Sequence, residues 1–125
     1  MRPTAHRLVL ALVISLLVAA QAAGQYGHPL KGSWSGDWGP TAAQRTRVLL
    51  EMHWDGKVIT GAINPGPSAL PLTKASLDPD TWQVHLEASG VVIDGKIENI
   101  GSAHRVLSGT WSQGGAKGNF RLVRN

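Results

Sequence analysis

Outside the N-terminal segment, four histidines have side chains suited to acid–base or metal chemistry: His28, His53, His85 and His104. No two of them stand at a typical local metal-ligand spacing. His53 shares an alternating face with Glu51 and lies beside Thr60. That trio would suit a surface metal or an acid–base pair, but a solvated polar face accounts for it better. Asp94, Lys96 and Glu98 read as solvated face too. The chain has no Cys, which excludes disulfide staples, thiolate zinc sites, iron–sulfur clusters and a Cys nucleophile. It contains no G-x-S-x-G, H-E-x-x-H or P-loop pattern. The run Gly114-Gly115-Ala116-Lys117-Gly118 is glycine-rich, but it suits a hairpin turn better than a phosphate cradle. No residue is assigned as catalytic or metal-binding, and no cofactor is implied. The remaining equipment for recognition is aromatic: five Trp, one Tyr and one Phe. An indole offers apolar contact together with one N–H donor.

The first segment reads as an address rather than as fold. Arg2 and Arg7 precede an apolar run from Leu8 to Ala20, and small residues follow, with Ala20-Gln21-Ala22 as an A-x-A-like cleavage site. This is the pattern of a cleaved secretory signal over residues 1–23. The apolar run is too short for a membrane span of about 20 residues. The expected organisation is signal 1–23, an arm 24–30 and a folded domain 31–125, secreted or periplasmic, with no stable membrane span after cleavage. Two of the 12 basic residues leave with the signal, so ten basic residues face eight acids and the +4 net charge falls to +2. The basic residues are scattered among acids, which argues against a nucleic-acid footprint.

After residue 24 the periodicity is two rather than 3.6. Val48–Trp54 and Val58–Ile63 flank Asp55-Gly56, the strongest short hairpin signal. A two-residue turn would pair Trp54 with Lys57, Met52 with Ile59, Leu50 with Gly61 and Val48 with Ile63. One face then carries Val48, Leu50, Met52, Trp54, Ile59, Gly61 and Ile63. Further strands are expected at Lys31–Trp38, at Ala69–Leu77 (irregular because of Pro71), and at Trp82–Ala88, Val91–Asn99 and Gly118–Asn125. A motif V-[I/L]-x-G-x-[I/W] recurs around Gly61, Gly95 and Gly109, the last marking a strand from Val106. Glycines inside strands permit sharp bending. The predicted fold is all-β: eight antiparallel strands in an up-and-down barrel, with a two-sheet sandwich as the alternative.

This meander distributes the tryptophans between two ends. Trp34, Trp54 and Trp82 fall at the end of the 55–56 turn, where they suit a hydrophobic plug, with Arg124 stacking on Trp34. Trp38 and Trp111 fall at the other end, among the loops 39–44, 64–68 and 113–117. There they suit either ligand recognition at a barrel mouth or ordinary rim core. Gly61, Gly95 and Gly109 would open interior space for a ligand.

Gly32-Ser33-Trp34-Ser35-Gly36-Asp37-Trp38-Gly39 resembles the G-x-W opening of the calycin barrels, the lipocalin and avidin-like families. Gly109-Thr110-Trp111-Ser112-Gln113-Gly114-Gly115 resembles an avidin-type late strand. Arg124 or Arg121 resembles the basic residue that calycins pack over the first Trp. The chain is also similar to small exported bacterial barrel modules with D-G-x-[V/I]-x-G and G-T-W-x-Q-G-G signatures, some of whose relatives are fused to serine hydrolases. The resemblance implies a barrel and a small ligand. It does not extend to biotin, because Gly36 and Pro40 stand where avidin-like proteins place polar side chains. The expected function is binding of a small apolar or amphipathic molecule at the mouth, with Trp38, Trp111, Gly61, Gly95 and Gly109 as its residues. The alternative is an exported protein-interaction module, either an enzyme inhibitor or a scaffold, whose partner is another exported protein.

Overall fold

The computed structural model describes residues 27–125. The expected signal and the beginning of the arm lie outside the described residues. Eight antiparallel strands follow one another: β1 (Gly32–Gly39), β2 (Thr46–Trp54), β3 (Ile59–Ile63), β4 (Leu70–Leu77), β5 (Gln83–Ala88), β6 (Val91–Glu98), β7 (Val106–Gln113) and β8 (Ala116–Arg124). Each pairs with the next, and β8 returns to β1 with Trp34 opposite Arg124 and Trp38 opposite Phe120. The sheet is therefore a closed barrel, not a sandwich. None of the described residues forms a helix long and apolar enough to cross a membrane.

Alternation sorts the side chains. Val48, Leu50 and Met52 of β2, Val84 and Leu86 of β5, and Ile93 and Ile97 of β6 are buried, while their neighbours in sequence face outward. Trp34, Leu107 and Leu122 complete the middle of the core.

The β2–β3 register differs from the expected one. Met52 faces Gly61, Trp54 faces Ile59 and Leu50 faces Ile63, so the loop has four residues, 55–58, rather than two. A type I′ turn needs two consecutive positive φ angles, and here only Gly56 supplies one, at +97°. Asp55 takes over the turn instead. Its Oδ1 accepts from the amides of Lys57 and Val58, both at 2.8 Å, and these bonds hold its carboxyl below the ordinary carboxylate range. The slip is of two residues, so the predicted inward face survives intact.

All three motif glycines lie inside strands. A Cβ on Gly61 would overlap the Glu51 carbonyl oxygen, and one on Gly109 would overlap that of Asp94. Gly95 and Gly109 face each other across β6 and β7, and Phe120 stands next to Gly109 in the same row. A Cβ on Gly95 would come within 2.8 Å of Phe120 Cζ. These glycines bring neighbouring backbones together, and at Gly95 the space is taken by the Phe120 ring.

β4 is irregular, as Pro71 predicts, with a bulge between Leu72 and Lys74. It pairs with β3 at only two positions, Ala62 with Pro71 and Ile63 with Leu70. From there Ile59–Gly61 and Leu72–Leu77 diverge, leaving a seam in one wall of the barrel.

Candidate functional site

The two ends of the barrel are closed differently. At the end of the 55–58 turn the plug is Leu30, fully buried. Trp34 Nε1 donates to the Leu30 carbonyl at 2.8 Å, and Arg105 Nη1 donates to that of Pro29 at 3.0 Å. The polar groups of the 28–30 turn are thereby satisfied where they meet the core. Trp54 and Trp82 are only half-buried beside it. Trp82 adopts φ +62°, a strained value for a bulky residue. Backbone bonds from Trp82 N to Asp78 O and from Ile97 N to Trp82 O hold it there. Arg124 does lie opposite Trp34, but its stem runs along Gly32 and its Nη1 donates to the Lys31 carbonyl at 3.4 Å. The guanidinium is thus engaged by backbone rather than poised for the expected cation–π contact.

At the other end the expected recognition residues pack inward. The Trp38 and Trp111 rings stack at 5.4 Å and 16°, and Phe120 meets Trp111 edge-on at 5.9 Å. Trp38 is 9% exposed and Trp111 1%, so neither ring presents a free platform to solvent. Trp111 Nε1 donates to Gln113 Oε1 at 3.2 Å. Arg45 pins the adjoining loop, reaching Asp37 Oδ1 at 2.7 Å, Asn119 Oδ1 at 2.6 Å and the Gly39 carbonyl at 3.1 Å.

A groove of about 500 Å³ follows the β3–β4 seam. Its apolar wall is Leu30, Ile59, Leu72, Ala75 and Leu77, and His28 and Trp54 stand over one side, their rings 4.7 Å apart. Burial holds the His28 imidazole below its ordinary pKa. Trp54 Nε1 is enclosed and has no hydrogen-bond partner among the described residues. An unsatisfied buried donor costs about 1–3 kcal/mol. Sequence reasoning placed Trp54 at this end but gave no sign of the seam, because the divergence of β3 and β4 depends on pairing rather than on residue type.

A larger groove, about 660 Å³, lies on the outer wall along β4–β7. There His85 Nδ1 lies 2.5 Å from Asp94 Oδ1, and Nε2 lies 2.7 Å from Glu87 Oε2. The sequence carried a signal for this cluster. His85 and Glu87 alternate on one face, and a tight turn at Ser89-Gly90 brings Asp94 opposite His85. With both ring nitrogens engaged, His85 has none free to act as a base. Ser108 lines the same groove but faces Lys96 across the ladder, not His85. The arrangement is a clasp between strands rather than a nucleophile–base pair. His53 faces Thr60 on the outer wall, and no group of three His, Asp or Glu side chains among the described residues, the His85 cluster included, is arranged to hold a metal ion.

The hydrogen bonds to Asp94 and then to Glu87 push the His85 pKa up, outweighing slight burial. Its folded value therefore lies above its unfolded value of about 6.5. The clasp contributes fully below that unfolded value, and its contribution is lost as pH rises through the folded value. His28, shifted down, acts in the opposite sense, weakening the fold as pH falls below about 6.5. The urea midpoint is expected to decline as pH rises above about 6.5 and through the raised folded value of His85, and His85→Gln is expected to flatten that decline. An equally steep decline in the variant would mean that the clasp is not its source.

No protein family, curated protein or solved structure matches the chain. The fold and the two grooves stand on the chain's own residues.

Proposed function

We propose that this chain is an exported, calycin-like binding protein that takes a small amphipathic ligand, and that it does so in the groove between β3 and β4. The enclosed Trp54 indole N–H carries this reading. A folded domain seldom leaves such a donor unsatisfied, and Trp54 belongs to the lining of a groove with an apolar wall of Leu30, Ile59, Leu72, Ala75 and Leu77. A ligand with an apolar body would cover that wall, and a turn of the half-buried Trp54 ring toward the groove would bring its N–H to an acceptor atom on the ligand. Closed calycin-like barrels are built to enclose small molecules, and the signal-like first segment supports export. The Trp38–Trp111 end suits the reading less well, since its rings already pack against each other.

The divergent strands favour a second reading, protein interaction by strand addition. However, Pro71, the bulge at Leu72/Lys74 and the seam lysines Lys57 and Lys74 are the features by which proteins discourage such pairing. The small ligand is therefore the better occupant.

The test is titration of the mature protein with dodecanol and with dodecanoate, following the Trp54 indole ¹H–¹⁵N resonance. Binding should move that resonance more than those of Trp38 and Trp111. Trp54→Phe should weaken binding roughly tenfold, about the worth of one hydrogen bond, without lowering stability. An indole resonance that stays in place at saturating amphiphile would exclude the groove.

A further inference from the structure

We infer that the ligand of the β3–β4 groove is an amphipathic anion, its head held near Lys57 and Lys74 and its apolar body laid on Leu30, Ile59, Leu72 and Leu77. This rests on the groove being the binding site, and it adds the chemical class.

The sign of the charge follows from the lining. Neither Asp nor Glu lines this groove, and its charged side chains are Lys57 and Lys74, with the ring of His28 as a third nitrogen group. The nearest acid in sequence, Asp55, is not in the lining, and its Oδ1 is taken by the backbone amides of Lys57 and Val58. The one ion pair reaching the rim is long. Lys74 Nζ lies 3.9 Å from Glu87 Oε2, an oxygen that already holds His85 Nε2 at 2.7 Å. Exposed pairs of that kind are weak, so Lys74 can exchange it for a ligand. Lys57 makes no ion pair among the described residues. Trp54 Nε1 is a donor only and has no partner among the described residues, so if the ring turns toward the groove it meets an acceptor atom on the ligand. Two lysines therefore share the groove with the apolar wall of Leu30, Ile59, Leu72 and Leu77, which is the complement of an anionic head on an apolar chain. The outer-wall groove shows no such asymmetry. Asp78 and Asp94 line it beside Lys96 and His85.

The experiment compares three twelve-carbon probes below their micellar concentrations: dodecanoate, dodecanol and dodecyltrimethylammonium. Dodecanoate should bind at least tenfold more tightly than dodecanol, and the cation more weakly than either. The advantage of dodecanoate should shrink as salt is raised, because exposed charges are screened. The double variant K57Q/K74Q should lose the preference for dodecanoate over dodecanol. K57E/K74E should shift the preference toward the cation, so the inference stays testable if one variant fails to fold. Equal binding of acid and alcohol, with the Trp54 resonance still moving, would overturn the anionic class and leave the groove standing. If no probe moves that resonance, both readings fall.

Discussion

Gly61→Val is expected to destabilise the domain by about 3 kcal/mol, which lowers the melting temperature of a domain of this size by roughly 15 °C. The reason is backbone, not cavity. A Cβ at this position would overlap the Glu51 carbonyl oxygen and press on Met52 Cα. Neither can move without breaking the β2–β3 ladder. Even alanine meets the same oxygen, so Gly61→Ala should cost a large part of the same amount. Gly101→Ala is the matched control, since a Cβ there has nothing within 4 Å. Thermal melts by circular dichroism compare the three. A Gly61→Val variant that melts with the parent would show that β3 does not approach β2 as described.

Trp111→Ala is expected to cost more, about 3–5 kcal/mol, against a total stability of about 5–15 kcal/mol for a typical domain. The ring is 1% exposed and is held by Trp38 on its face and Phe120 on its edge. Removing it leaves both neighbours without partners at one end of the core. The near-ultraviolet dichroism of the stacked indoles should vanish with it, and urea unfolding should shift to a much lower midpoint. Trp111→Phe should recover part of the loss. If Trp111→Ala left stability unchanged, the ring would have to be a free platform at the mouth rather than core.

Much of this architecture was legible in local pattern. Period-2 alternation in Val48–Trp54 places the inward residues correctly even though the register slips, because a two-residue shift preserves the face. The repeated motif identifies Gly61, Gly95 and Gly109 as strand glycines, and Pro71 announces the irregular β4. The parts that escaped depend on contacts distant in sequence. Asp55-Gly56 reads as a type I′ turn by composition, while the Asp55 side chain selects a longer loop by bonding two amides. Leu30 precedes the first strand and looks like part of an arm, yet it fills the end assigned to Trp34, Trp54 and Trp82. The Trp38–Trp111 stack requires β1 and β7 to flank β8, an arrangement that only barrel closure supplies and that no local pattern encodes. The groove exists because β3 and β4 part after two pairs, a feature of the assembled wall.

The pairing of β1 with β8 also governs how the chain can fold. The first strand finds its second neighbour only when residues 116–124 arrive, and Asn125 N then donates to the Ser33 carbonyl at 2.8 Å. Every other ladder joins strands adjacent in sequence and can form early. This last one closes a loop of nearly the whole domain and carries the largest single loop-closure cost. Until it forms, the sheet has two open edges and Trp34 lacks its Arg124 neighbour. Closure is therefore expected to come late in folding. Loss of the final nine residues would leave an open, aggregation-prone sheet rather than a slightly smaller barrel.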